Sequence, residues 1–259
     1  MLLCLDVGNT HILGGIFDQK KLLLRFRYAT HLVGTADQLG IFLINFLHTH
    51  QVDRKAIRAV SICSVVPSCD YTIQHTINRY FEATYFVLKA GVKTGLNVMT
   101  KHAAEVGTDR IANAIGAFCT FPNKHLIIID LGTATTVCAI HQNRDYLGGV
   151  ILPGLRLGME SLKTSTAKLT EVNIEKPTQY LGRTTKESIQ SGLYYGTLGA
   201  LKEILKGLSK EVFHGAPIIV GTGGFAQLYK TQQLFDHILP DLVLTGLCEA
   251  YQMNRLPID

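Results

Sequence analysis

Several features that would fix a function class at once are missing from this chain. No two of its six cysteines form a CxxC pair, so neither a zinc ribbon nor a thioredoxin-type redox centre is spelled out. Cys4, Cys63, Cys69, Cys119, Cys138 and Cys248 fall mostly inside apolar runs and read as reduced core thiols of a cytoplasmic protein. No apolar run approaches the ~20 residues that a bilayer requires, so no membrane partner is expected. The first stretch, Leu2–Val7, contains Asp6 and reads as a folded strand rather than a signal peptide. Lys and Arg number 25 against 20 Asp and Glu, a formal charge of +5. They are dispersed, which suits anionic small ligands and lacks the basic helix or basic–aromatic stripe of a nucleic-acid binder. A Walker lysine is absent as well, because Gly91-Val92-Lys93-Thr94 has no glycine at the upstream spacing. His48-Thr49-His50 has no cysteine or acid at ligand spacing and reads as surface.

What is present is a phrase written twice. Leu2-Leu3-Cys4-Leu5 is an apolar strand that ends in Asp6, then turns through Val7, Gly8, Asn9 and Thr10 into a second apolar run, Ile12 to Phe17. Gly and Asn tolerate left-handed backbone angles, so a hairpin is expected. Its turn gathers N–H groups, a hydroxyl and a carboxylate. The N–H groups form an anion cradle. The carboxylate repels phosphate and is suited instead to the Mg²⁺, or its water, that accompanies a nucleotide. The phrase returns at Leu126-Ile127-Ile128-Ile129-Asp130-Leu131-Gly132-Thr133-Ala134-Thr135-Thr136, again with an apolar run after it. Two copies in 259 residues imply two related halves, each offering a phosphate loop to one cleft. The boundary is expected near Pro122, giving 1–121 and 122–259.

Strands alternating with helices between these markers predict an α/β fold. Leu22 to Tyr28 alternates as a half-exposed strand. Thr35-Ala36-Asp37-Gln38 is a capping box that opens a helix with Leu39, Phe42, Leu43, Phe46 and Leu47 on one face. A buried strand (Arg58 to Val66), a helix (Ser68 to Phe81) and a short strand (Tyr85 to Leu88) follow. Small residues from Ile111 to Phe118 predict a tightly packed helix that carries Thr108 and Asp109 at its start. Read alone, Asp109 is a helix-start acid as readily as a catalytic one. In the second half a hairpin (126 to 140) turns through Asn143-Arg144-Asp145 into Tyr146 to Leu152. Thr184-Thr185-Lys186-Glu187 opens a long helix to about Leu208, whose Gly192, Gly196 and Gly199 are expected to serve close helix packing. Pro217 to Val220 is a strand leading into Gly221-Thr222-Gly223-Gly224-Phe225-Ala226. That turn lies against a nucleotide base or ribose, or is a bare tight turn. A helix from about Leu242 to Met253 closes the chain.

Taken together, Asp6-x-Gly8-Asn9-Thr10, Gly107-Thr108-Asp109-Arg110, Asp130-x-Gly132-Thr133-Ala134-Thr135 and Gly182-Arg183-Thr184-Thr185 resemble, in order and spacing, the type III pantothenate kinases of the sugar kinase, heat-shock chaperone and actin superfamily. The resemblance implies two ribonuclease-H-like halves with mixed sheets flanked by helices, with ATP in the cleft between them. It implies phosphorylation of pantothenate, the first step toward coenzyme A, and a homodimer with the substrate site at its interface. By this resemblance Asp6, Val7, Gly8, Asn9, Thr10 and Thr133 contact ATP, and Asp6 holds Mg²⁺ through water. Asp130 binds a monovalent cation, K⁺ or NH₄⁺. Gly107, Thr108, Asp109 and Arg110 bind pantothenate with Asp109 as general base, and Thr185 contacts pantothenate across the dimer. A forked Arg110–carboxylate pair with the substrate is a further expectation. The family's Tyr-x-x-Pro ahead of the Gly-x-Asp-Arg segment is replaced here by Thr100-Lys101-His102-Ala103, so either Lys101 or His102 contributes to the pocket or affinity falls.

Two other readings compete. One is a related kinase or phosphatase acting on a sugar, acetate or polyphosphate. The other is a nucleotide-binding accessory regulator of transcription without turnover, against which the complete set Asp6, Asp109 and Asp130 counts.

Overall fold

The computed structural model describes residues 1–213 and 215–255. The chain forms two compact units. Residues 1–96, 101–120 and the chain from Asp241 make the first, and residues 97–100 and 121–240 make the second.

In the first unit β1 (Leu2–Val7), β2 (His11–Asp18) and β3 (Lys21–Ala29) form an antiparallel meander, followed by α1 (Ala36–Thr49), β4 (Ala59–Ser64), α2 (Pro67–Tyr80) and β5 (Thr84–Val87). The sheet order is β3-β2-β1-β4-β5, with β4 and β5 parallel to β1. One face of the central strands, Leu3, Leu5 and Val7 with Val60 and Ile62, packs against the apolar faces of α1 and α2. The capping box forms as expected. Thr35 Oγ1 accepts the Gln38 N–H and the Gln38 side chain accepts the Thr35 N–H, an arrangement worth about 1 kcal/mol. Pro67 occupies the first turn of α2, where its missing N–H costs nothing.

A short β6 (Asn97–Val98) belongs to the second unit, and the chain then returns to the first as α3 (Thr108–Thr120). The second unit continues with β7 (Leu126–Leu131), β8 (Ala134–Ile140), β9 (Asp145–Pro153), α4 (Leu155–Ser165), α5 (Thr185–Val212), β10 (Ile218–Thr222) and β11 (His237–Ile238). Its sheet order is β11-β10-β7-β8-β9-β6, with β10 parallel to β7. Apart from the added β6, this is the order of the first sheet. Ile127, Ile129 and Leu131 pack under Leu155 of α4 and Tyr194, Leu198 and Leu201 of α5. The Thr184 capping box also forms, and Glu187 takes the N–H groups of both Arg183 and Thr184.

Two expectations are corrected here. The boundary at 121/122 does not send everything after it to the second unit, because the closing helix α6 (Leu242–Asn254) packs in the first. The reason is the small-residue surface of α3. A Cβ on Gly246 would overlap the Ala112 carbonyl, and one on Gly116 would overlap the Leu242 carbonyl, so the two backbones touch. Arg25 ties the start of α6 to β3 through Asp241 at 3.0 Å. The second correction concerns Gly192, Gly196 and Gly199. They lie exposed on α5, and an added Cβ at each would meet nothing within 4 Å, so among the described residues they serve no helix packing.

Candidate active site

In the first unit, three chain segments meet at the carboxyl ends of β1 and β4. Asp6 is next to last in β1 and is paired in register with Cys63 of β4. Parallel neighbours share a face, and this one, with Cys4, Asp6, Ser61 and Cys63, is opposite the face that packs on α1 and α2. It turns toward α6, where Ser61 Oγ donates to the Leu247 carbonyl at 3.0 Å. The Cys63 thiol donates to Asp6 Oδ1 at 3.2 Å. The third segment is the start of α3. Thr108 Oγ1 donates to the Ser64 carbonyl at 3.1 Å, which fastens the helix start to the end of β4. Asp109 is the next residue, half-buried, and its Oδ1 accepts the Arg110 N–H at 2.8 Å. A Cβ on Gly107 would overlap that same Asp109 oxygen and oblige the carboxylate to move. Burial first, then the charge of Asp6 and its hydrogen bond, then the charge of Asp109, push the Cys63 thiol well above its ordinary pKa. Both carboxylates therefore act on one buried thiol, which stays protonated at neutral pH.

The turn after Asp6 is held from outside. Gly8 N–H donates to the His11 carbonyl at 3.1 Å. Thr30, only 6% exposed, donates its hydroxyl to the Gly8 carbonyl at 2.6 Å and its N–H to the Thr10 carbonyl at 3.0 Å. Val7 is buried in the core, Asn9 is exposed and Thr10 is half-buried. With the Gly8 and Thr10 carbonyls occupied by Thr30, the turn is fixed with Asn9 exposed at its tip.

In the second unit Gly132 N–H donates to the Ala134 carbonyl at 3.1 Å, the counterpart of the Gly8 bond. Thr133 is exposed at the tip, and its carbonyl accepts Gly154 N–H at 3.1 Å. Asp130 pairs in register with Thr222 of β10, and Gly223 follows with φ +85°. A side chain on Gly223 would overlap Asp130 Oδ1 and the Leu131 backbone. Gly221 lies against the Phe235 ring. Both glycines of the Gly221-x-Gly223 turn thus have packing reasons of their own. Thr185 is the first residue of α5, exposed beside an open groove of about 530 Å³ that Leu162, Leu169, Ile189 and Leu193 also line. Gly182 lies so close to Ser188 that no side chain fits. Lys101 and His102 are exposed, and the Thr100 methyl lies near Gly148.

The structure brings Asp6 together with Thr108 and Asp109, and keeps Asp130 with Gly132 and Thr133 on the second unit's own loop. Sequence reasoning missed Thr30, Cys63 and Gly154. Cys63 read as one more core thiol, and nothing nearby in sequence marked Thr30.

Two units with the same meander-and-parallel sheet order, each with an acid next to last in its first strand and a glycine turn after it, have the mixed α/β architecture of the actin-like fold. A solved Sinorhizobium meliloti protein assigned as a 2-dehydro-3-deoxygalactonokinase shares the fold over 100% of this chain and 99% of its own, with a TM-score of 0.65 at 14% identity. Within that class the family is set by sequence. A model of the type III pantothenate kinase family matches residues 2–207. The type III pantothenate kinase of Legionella pneumophila (strain Corby) is 52% identical over 98% of this chain and 99% of its own. Type III pantothenate kinase 1 of Francisella tularensis subsp. holarctica (strain OSU18) is 45% identical over 98% and 100%. The chain belongs to the type III pantothenate kinase family.

Proposed function

We propose that this chain transfers the γ-phosphoryl group of ATP to the primary hydroxyl of pantothenate, giving 4′-phosphopantothenate and ADP, the first step of coenzyme A biosynthesis. The observation that carries the assignment of roles is the meeting of Asp6 and Asp109 beside Cys63 in a member of this family. Phosphoryl transfer needs alignment and charge neutralisation more than covalent help. The first loop, Gly8, Asn9 and Thr10, and Thr133 on the second loop receive the phosphates, with the Gly8 N–H kept inside its own turn by the His11 carbonyl. Asp109 takes the proton of the pantothenate hydroxyl as that oxygen bonds to the γ-phosphorus and the bond from phosphorus to the β–γ bridging oxygen breaks. Gly107 and Thr108 line the vitamin's site, and Arg110 pairs its carboxylate.

Among the described residues no group of three or more His, Cys, Asp or Glu side chains forms a metal cage. A lone carboxylate beside a phosphate loop fits Mg²⁺, which keeps several waters and takes its other ligands from the nucleotide. Asp6 holds it through water in this reading, and the ion, when bound, supplies neutralisation of phosphate charge. Asp130 holds the monovalent cation in this reading; its carboxylate oxygen lies beside Gly223, at the base of the exposed loop.

The protein acts as a homodimer in this reading, and Thr185 contacts pantothenate across the interface. The support is a contiguous uncovered surface. Gly192, Gly196 and Gly199 are exposed on α5, and Tyr180 and Leu181 are 75% and 73% exposed beside them. Among the described residues no helix is long and apolar enough to cross a membrane. The six cysteines form no disulfide and five are buried, and the enzyme is cytoplasmic in this reading.

The test is ATP-dependent phosphorylation of pantothenate by the purified protein with Mg²⁺, with and without K⁺ or NH₄⁺, beside Asp109→Asn. Cation-stimulated turnover is expected, with a loss of about 10²–10⁴ in kcat for the variant. ATP binding without turnover would favour the regulator instead.

A further inference from the structure

We propose that Cys63 is a positioning residue whose thiol proton fixes the Asp6 carboxylate in the orientation that holds the nucleotide's divalent cation. The inference rests on the kinase reading for the role of Asp6, and on the structure for the rest. Asp6 is the last polar group of a buried strand, and its side chain can rotate about two bonds. A carboxylate that meets a cation only through water gains from being held in one orientation beforehand, since outer partners of metal-binding groups fix their geometry. Cys63 is placed to do this. It is fully buried, in register with Asp6 on the adjacent parallel strand, and its Sγ is 3.2 Å from Oδ1. A thiol is a weak donor to neutral acceptors, but a charged acceptor strengthens the bond.

The second unit repeats the placement. Opposite Asp130, at the equivalent register position of β10, stands Thr222, 2% exposed. In each unit the loop acid therefore faces a buried residue that carries an S–H or O–H group.

The experiment compares wild type, Cys63→Ser and Cys63→Ala. Both variants remove similar volume, and only serine keeps a donor. Affinity for a fluorescent ATP analogue is titrated with Mg²⁺ and with EDTA, and turnover is measured in parallel. Cys63→Ala is expected to weaken Mg²⁺-dependent binding about 10-fold, and Cys63→Ser to recover most of it, with binding in EDTA the same in all three. Equal Mg²⁺-dependent affinity in wild type and Cys63→Ala, or equal losses in Ala and Ser, would overturn the proposal. Wild-type protein that binds the Mg²⁺ complex but leaves pantothenate unphosphorylated would defeat the kinase reading alone, and the binding series would still decide the role of Cys63. Flat binding across the three proteins with normal turnover would defeat this inference alone.

Discussion

The first hairpin pairs Val7 with Ile12 and turns through Gly8–His11, whereas the second pairs Leu131 with Thr135 and turns through Gly132–Ala134. Both have an acid next to last in their first strand, and in both the turn glycine donates to the carbonyl that opens the next strand. They are supported differently. The first loop is tied by side chains: Thr30 on the Gly8 carbonyl and Cys63 on Asp6. The second is hemmed in by backbone, with Gly154 against the Thr133 and Gly132 carbonyls and Gly223 against Asp130. The loop beside the proposed base is thus held by groups that mutation can remove one at a time. The other is also closely packed at Gly154 and Gly223, where added bulk would disturb it.

The largest effect that would sharpen this contrast is a split in cation requirement. Asp6→Asn is expected to lower kcat/KM for MgATP about 10–100-fold while leaving stimulation by K⁺ or NH₄⁺ in place. Asp130→Asn is expected to abolish that stimulation at unchanged Mg²⁺ dependence. Turnover at varied Mg²⁺ and K⁺ reads both, and one shared phenotype would erase the distinction. Next in size is the backbone cradle. Gly223→Ala forces a side chain into a left-handed backbone and into Asp130, and should cost about 1–3 kcal/mol. Gly8→Ala meets only the His11 carbonyl at 3.1 Å and should cost less. Thermal unfolding of the full chain compares them, and equal losses would contradict unequal support. The smallest is Thr30→Val, which deprives the Gly8 carbonyl of its hydroxyl donor. A loss of about 1 kcal/mol is expected, with a modest rise in KM for ATP, and no change in either would make Thr30 an incidental neighbour.

Much of this was legible in the sequence because it is local. The repeated strand–acid–glycine phrase marks both hairpins, since an apolar run, a residue that ends it and a turn former lie within a few positions. Thr35 with Gln38, and Thr184 with Glu187, announced their helices by a contact that spans three residues. Gly107-Thr108-Asp109-Arg110 gave the helix start and the candidate base together. Gly192, Gly196 and Gly199 misled, because a row of small residues has the same spacing whether it faces another helix of the chain or solvent. α6 was recognised as a helix but placed in the wrong half, since periodicity carries no address.

By itself, then, the sequence determined the α/β class, both strand–acid–glycine hairpins, the caps and the family, all set by short-range stereochemistry or by residue types in a fixed order. Only the tertiary structure decided that α6 returns to pack on α3, that Thr30 locks the first loop, and that the Cys63 thiol meets Asp6. Those contacts join residues far apart in the chain. They depend on strand register and helix packing, where a shift of one position would turn Cys63 to the other face of the sheet.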